Sequence, residues 1–386
     1  MQVVNLKAEN YDSLISLLNE VFTKKNGAKQ DFERDLPKMC VKDDKHMGSH
    51  LGIFDDDKLV AVLGVYLIPT VILGEELLFS TVGNIAVHPD YEGKGYMSIL
   101  LDKAMQVLKE KGVDASRLGG LRQRYNRYGY ESSGSIYNFT LTGYNTQKAF
   151  KNYLSDITFT EILKTDTENL KFCNSLYLKG EIHTLRSEDD NCYDVYTSMV
   201  AWQNIPYLAT TSNGEKLGYI VVNKKGNAVA EVFGTNDETT IKILANWQQK
   251  TGEDLLVKIP PYKTQLVRIF NEFAEYSSLA PVCHFKVLNY QKLISALLKL
   301  KCKMTAIKNG EFTVNIENYG TLKIKIENGN GTCEFTNNKP NLTINNLEAT
   351  KLFFGAYPTY STINCQNDFI NAILPLPLSW NLQDRV

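Results

Sequence analysis

The sequence predicts a mixed α/β fold assembled from more than one unit, and three observations carry that expectation. The chain has 386 residues, more than a single ordinary core accommodates. Amphipathic helical stretches are interleaved with short apolar runs bounded by Gly, Asn and Asp, and they do not repeat as a strict β-α-β series. One strand-to-helix junction, "VHPDYEGKGYM" over residues 87–97, sets two glycines around a lysine. Such a loop either turns tightly or holds an anion on its backbone.

The first helix is predicted from Leu14, Leu17, Leu18, Val21 and Phe22, which share one face at helical spacing. "HLGIFDDDKLVAVLGV" follows as strand, polar turn and strand. The uncharged run over residues 59–74 is short for a membrane span and contains Gly64 and Pro69. It is read as two buried strands joined near Pro69. "TVGNIAV" is the strand that enters the glycine loop. Beyond the loop, Met97, Leu101, Ala104 and Leu108 form the stripe of an amphipathic helix, with Gly112 placed to end it. A short strand near Leu118 then precedes "LRQRYNRYGYES".

From about Asn145 the pattern restarts. "TENLKFCNSLYL" reads as a helix, "YLATTSNGEKLGYIVVNKKGNAVAEVFG" as a meander with Asn-Gly and Lys-Gly turns, "TTIKILANWQQKTG" as a helix and "DLLVKIP" as a strand. The order echoes the first 145 residues and suggests a degenerate duplication. The second copy has no counterpart of "EGKG", so it is not expected to hold phosphate in the same way. "YQKLISALLKLKCK" opens a last unit whose alternating strands suggest a half-exposed antiparallel sheet, closed by the helix "NNLEATKLFFG". The tail "FINAILPLPLSWNLQDRV" is read as extended and docked, since Pro375 and Pro377 forbid regular helix. The expected division is therefore residues 1–145, 146–288 and 289–386.

Composition narrows the function. A formal net charge of −1 gives no basic excess for nucleic acid. The five histidines form no metal-binding motif and the seven cysteines are scattered without a C-x-x-C pair, so no metal is expected and a reducing cytoplasm is the expected setting. The N-terminus has no secretory pattern, and no membrane partner is expected.

The loop itself fails two phosphate-binding patterns. Lys94 is not followed by Ser or Thr, as a nucleotide-hydrolase loop requires, and Ser98 stands where the dinucleotide fingerprint needs its third glycine. A pyrophosphate held by successive backbone N–H groups at a helix entrance remains.

"IAVHPDYEGKGYMSILLDKAM" resembles the acetyl-coenzyme A loop of the GNAT acetyltransferases, which carries R/Q-x-x-G-x-G/A after a strand. Glu92 stands at the R/Q position, Gly95 at the first glycine and Met97 at the G/A position, so two of the three depart. A carboxylate facing pyrophosphate would repel it, and Glu92 is expected to turn outward and use its backbone. The layout of the whole chain resembles the three-domain, enhanced-intracellular-survival type of N-acetyltransferase. That type joins a GNAT domain, a degenerate GNAT-like domain and a sterol-carrier-protein-like C-terminal domain.

The resemblance implies an acetyl-coenzyme A-dependent N-acetyltransferase acting on a primary amine. It implies coenzyme A contacts from Ile85, Val87, Glu92, Gly93, Lys94, Gly95, Tyr96 and Met97. In "YNRYGYE" it places Tyr125 as the general acid, a phenol that keeps its proton at neutral pH. It assigns the base to the C-terminal carboxylate of Val386, with an acidic side chain or water as the alternative. A homo-oligomer, commonly a hexamer, is also implied. Asn84 is read as facing the acyl group or capping a bulge. Arg117, Arg122 and Arg124 are read as contacting phosphates or as bracing the fold or a subunit contact, and His88 is read as structural. The rival function is a non-catalytic protein that binds coenzyme A or an apolar ligand. The identity of the amine is not encoded in any acidic constellation.

Overall fold

The computed structural model describes residues 2–186, 192–198, 203–363, 365 and 367–385. Its first sheet is built from Val3–Asn5 (β1), His50–Asp55 (β2), Lys58–Ile72 (β3), Glu75–Val87 (β4), Ala115–Leu118 (β5) and Glu131–Ser133 (β6). Strands β1 to β4 run antiparallel in order, and β5 joins parallel to β4 from Phe79 beside Ala115 to Val82 beside Leu118. The crossover between β4 and β5 is the helix Tyr96–Glu110.

Side chains alternate across this sheet. Ala61, Leu63 and Val82 face the helix Tyr96–Glu110, which buries Leu100, Leu101, Ala104 and Leu108 against them. Val62 and Ala86 face the helix Tyr11–Asn26, which buries Leu14, Leu17 and Leu18. Each such leucine contributes about 2 kcal/mol of burial free energy. The stripes read from the sequence thus set which face each helix covers. The run containing Pro69 differs from its reading: β3 is one continuous strand through Pro69, not two. The Pro69 carbonyl accepts from Leu185 N–H, so its nitrogen, which has no proton to donate, faces that same outer side and not β4. Proline is tolerated in a strand where the ladder needs no donor.

The chain then crosses between sheets. Only Gly134 and Ser135 separate β6 from Ile136–Leu141 (β7), yet the two do not form a hairpin. Gly134 N–H donates to Phe354 O and Ser135 N–H to Leu378 O, which bends the chain out of the first sheet. Next come Ile157–Glu161 (β8), Ile182–Thr184 (β9), Ile205–Thr211 (β10), Lys216–Val222 (β11), Val229–Gly234 (β12), Leu255–Ile259 (β13), Tyr276–Ala280 (β14) and Cys283–Val287 (β15). β7 sits between β13 and β14, while β12-β11-β10-β8 form a neighbouring meander. β9 pairs with the end of β3. β15 returns to the first sheet and lies between β5 and β6. The two mixed-sheet units are therefore interlocked by an exchange of strands.

The last unit packs the helix Tyr290–Met304 on a sheet of Gly310–Ile316 (β16), Gly320–Glu327 (β17), Asn330–Phe335 (β18) and Leu342–Ile344 (β19), in the order β18-β17-β16-β19. Its core is continuous with the back of the first sheet, where Trp380 lies 5.3 Å from Phe79 and 6.4 Å from Phe285 between ring centroids. The tail was expected to hold no helix. It contains a short one, Asp368–Ile373, whose end two residues before Pro375 matches the restriction a proline places on its predecessor. From there the chain is extended and buried, as its prolines dictate, until a 3-10 turn at Leu382–Asp384.

Candidate functional site

Pairing of β4 with β5 ends at Val82 and Leu118, where β5 stops and β4 runs on to Val87, so the remaining edge of β4 is the candidate cleft. A bulge begins there. Gly83 faces Gly64 and Ala86 faces Val62, so Asn84 and Ile85 both stand opposite Leu63. Asn84 adopts a φ of 51°, a conformation asparagine tolerates better than most residues. Its side-chain N–H donates to Tyr66 Oη at 2.7 Å, and Tyr66 Oη lies 2.9 Å from His50 Nε2. Burial pushes the His50 imidazole down to about 4, so it is neutral near pH 7 and accepts from the tyrosine. Of the two roles left open for Asn84, the structure gives it the bulge. The Tyr66–His50 pair behind it was not anticipated, since nothing local in the sequence links those positions.

The bulge fixes which backbone groups line the cleft. His88 N–H donates to Val60 O, so residues 86 and 88 turn their polar groups toward β3. By ladder alternation, Ile85 and Val87 turn theirs toward the open side. The glycine loop closes that side. Gly93 and Gly95 have φ of 78° and 82° with nothing within 4 Å of a built Cβ. Conformation, rather than crowding, is what requires glycine here. Among the described residues, the five successive amides of Gly93, Lys94, Gly95, Tyr96 and Met97 donate to no protein acceptor. Such a run at the start of a helix is an anion nest.

The side chains of the loop turn elsewhere. Lys94 Nζ lies 4.2 Å from the centroid of the Tyr91 ring, and Tyr91 donates to Asp55 at 2.7 Å. Glu92 is exposed. Tyr96 is buried under the loop and Met97 half-buried. His88 is structural: its Nδ1 accepts from Asp90 N–H and its Nε2 lies 3.0 Å from Lys58 Nζ.

Tyr125 follows β5 in a short helix, Arg122–Tyr125, and is 6% exposed. Its ring rests on the backbone of Gly120, whose φ is 105° and whose hypothetical Cβ would meet the ring at 3.2 Å. Burial raises its hydroxyl pKa, with Arg124 working in the opposite direction, so the phenol holds its proton at neutral pH. The neighbouring segment is braced from several directions. Arg122 grips Glu131 with a bidentate pair, Nε donating to Oε1 and Nη2 to Oε2. Burial opposes charge on Glu131, but Arg122 and the Ser132 amide hold its carboxyl below the ordinary range. Arg127 donates to Ser98 at 2.9 Å, tying "YNRYGYE" to the helix that follows the loop. Tyr130 and Ser80 both bond Ser116, which locks β4 to β5 just before they part.

Arg117 is buried on β5, and its Nε and Nη1 find no partner among the described residues. Val386 lies outside the described residues. Its neighbour Arg385 donates to Val282 O at 3.1 Å, and burial, with Arg117 nearby, pushes its guanidinium down to about 10. Arg385 therefore sits beside Val282, just before β15, and near Arg117 of β5. Among the described residues no group of three or more His, Cys, Asp or Glu is placed to hold a metal, and no helix is long and apolar enough to cross a membrane.

A sheet whose parallel β4 and β5 splay around a bulge, closed by an amide-lined loop at a helix entrance, is the architecture of a GNAT acyltransferase. Residues 2–133 match the family model of the acetyltransferase (GNAT) domain. The chain carries such a domain, and enzymes of this class take their acyl group from an acyl-coenzyme A. No curated protein matches the chain significantly. Solved structures share the fold over nearly the whole length. The GCN5-related N-acetyltransferase of Anabaena variabilis ATCC 29413 is 12% identical with a TM-score of 0.68, covering 98% of each chain. That of Kribbella flavida is 15% identical with a TM-score of 0.64, covering 97% of this chain and 95% of the other. Eis1 of Mycobacterium abscessus is 11% identical with a TM-score of 0.61, covering 99% and 98%. The fold class expected from the sequence, tandem GNAT-like mixed sheets, is the one found.

Proposed function

We propose that the protein is an acetyl-coenzyme A-dependent N-acetyltransferase acting on a primary amine. The observation that carries this reading is the run of five amides without protein acceptors, from Gly93 to Met97, at the mouth of the β4–β5 cleft. The pyrophosphate of coenzyme A is the anion that fits it. Glu92, Gly93, Lys94, Gly95, Tyr96 and Met97 act there through backbone, with the exposed Glu92 carboxylate free to turn into solvent. Ile85 and Val87 offer the extended pantetheine arm a strand edge to pair with.

The deprotonated amine attacks the thioester carbonyl directly. The C–N bond forms, the C–S bond breaks and the sulfur leaves as thiolate. Tyr125, protonated and buried, supplies the proton to sulfur. Positioning in the cleft contributes much of the rate, and backbone N–H groups near Val87 steady the oxyanion. The terminal carboxylate of Val386 is proposed as the base that receives the amine proton. Residues 289–386 are read as sterol-carrier-protein-like, and the assembly as a cytoplasmic homo-oligomer. The test is thiol release from acetyl-coenzyme A over a panel of amines. Tyr125→Phe is expected to lower kcat by about a hundredfold with little change in coenzyme A affinity, and full activity in that variant would remove Tyr125 from the acid role.

A further inference from the structure

The second mixed-sheet unit repeats the splay of the first. β12 and β13 touch through one parallel bridge, Ala228 beside Leu256, and then diverge. Between them lies a cavity of about 240 Å³, closed on its inner side by Trp380, Leu382 and Arg385 of the tail. It is not a second coenzyme A site. The amides around the start of the helix Asp237–Thr251 are partly bonded: Gly234 N–H to Thr240 Oγ1, Thr235 N–H to Leu217 O and, inside the first turn, Thr239 N–H to Asn236 Oδ1, which leaves among the described residues only the short run from Asn236 to Glu238 without acceptors. Asp237 and Glu238 also stand in the first turn, where a phosphate would be repelled.

The walls say what does fit. Val229, Leu244, Val257 and Leu266 make the body of the cavity apolar. Trp380 is 4% exposed and its indole N–H has no acceptor among the described residues. Arg385 Nε is likewise without a partner. Among the described residues, two donors are thus left at the tail side with nothing to donate to, which is costly in a buried site. The charged lining is predominantly basic: Lys179, Lys258, Lys263 and Arg385 against Glu231 and Asp237. Glu231 is itself committed to Arg186 at 2.7 and 2.9 Å, and Lys263 to Glu181 at 2.8 Å.

We propose that this cavity binds a medium-chain monocarboxylate, its alkyl tail among Val229, Leu244 and Val257 and its carboxylate against the Trp380 and Arg385 donors. An apolar cavity of about 150 Å³ takes benzene, so this one takes about eight to ten non-hydrogen atoms, the size of octanoate. The proposal does not depend on the transfer chemistry of the first unit, although Arg385 immediately precedes Val386, the base proposed for that chemistry.

Equilibrium dialysis of radiolabelled octanoate against the full chain tests the proposal, with octylamine and 1-octanol as competitors and coenzyme A binding followed by calorimetry in the same samples. Saturable binding near one octanoate per chain is expected, at least tenfold tighter than either competitor. Trp380→Phe keeps the ring and removes the N–H, and is expected to weaken octanoate at least fivefold. Arg385→Gln is expected to weaken it at least tenfold. Coenzyme A binding should be unchanged in Trp380→Phe, which separates failure here from failure of the transferase reading. Absence of saturable octanoate binding, octylamine binding as well or better, or full binding in both variants overturns the proposal.

Discussion

The Arg186 guanidinium lies 3.0 Å from Asp384, two residues before the end of the chain, and 2.7 Å from Glu231 of β12. All three side chains are almost wholly buried. Tyr177 donates to Asp384 at 2.6 Å, Asn381 to Glu231 at 2.6 Å and Tyr219 to Glu231 at 2.6 Å. One cation thus ties the tail to the second unit, and Lys38 of the first unit adds a bond to Gln383 O. Breaking a buried ion network by removing one partner costs about 3–5 kcal/mol, because the remaining charge stays buried. Arg186→Met is expected to lose that much in urea unfolding at pH 7. Adding Glu231→Gln and Asp384→Asn should recover most of it. Equal stability of the single and triple variants would show that the network does not hold the tail.

His50 makes the acid limb of stability specific. Its imidazole titrates near 4 when folded, because burial disfavours the charge, against about 6.5 when unfolded. Between those values the unfolded chain binds more protons. Stability from this group is therefore full above about 6.5, falls as pH drops through the window and is lost below about 4. The shift corresponds to about 3 kcal/mol. Urea midpoints measured from pH 7 to pH 4 should show a slope that His50→Asn abolishes over that window. An unchanged slope in the variant would place the acid sensitivity elsewhere.

What could be read from the sequence follows the range of the interaction. Helices with a clear stripe, such as Leu101, Ala104 and Leu108, declare their buried face locally. The glycines of the loop declare a left-handed backbone just as locally, as do the prolines of the tail. Pairing partners do not. β7 and β15 have ordinary strand patterns, and only tertiary bonds such as Gly134 N–H to Phe354 O decide which sheet each joins. Pro69 misled for the same reason: whether a strand tolerates proline depends on the neighbour its nitrogen faces. Asn84, Tyr66 and His50 meet across three strands, and Arg186 meets Asp384 across 198 positions, so no spacing rule reveals them.

Gly95 offers a test of the loop that leaves its chemistry untouched. No atom lies within 4 Å of a built Cβ, so Gly95→Ala adds no clash. Its φ of 82° still disfavours a side chain by about 1 kcal/mol. If the amides must keep this conformation to meet pyrophosphate, KM for acetyl-coenzyme A should rise about fivefold, with kcat nearly constant. A matching drop in kcat with unchanged KM would assign the loop a different role.

Gly120 couples differently, because here both conformation and space matter. Its φ is 105°, and a Cβ would approach Tyr125 Cε2 to 3.2 Å. Gly120→Ala must therefore relax the backbone or push the phenol away from the β5 side of the cleft. If Tyr125 is the proton donor we propose, a displacement of a few tenths of an ångström costs it alignment with the leaving sulfur, while the loop of residues 93–97 keeps its own backbone. The expected result is a fall in kcat of about tenfold with KM for acetyl-coenzyme A unchanged. In a Tyr125→Phe background the same substitution should have almost no further effect, since the group it displaces no longer donates. Additive losses in the double variant would mean that Gly120 acts on the cleft by some route other than Tyr125.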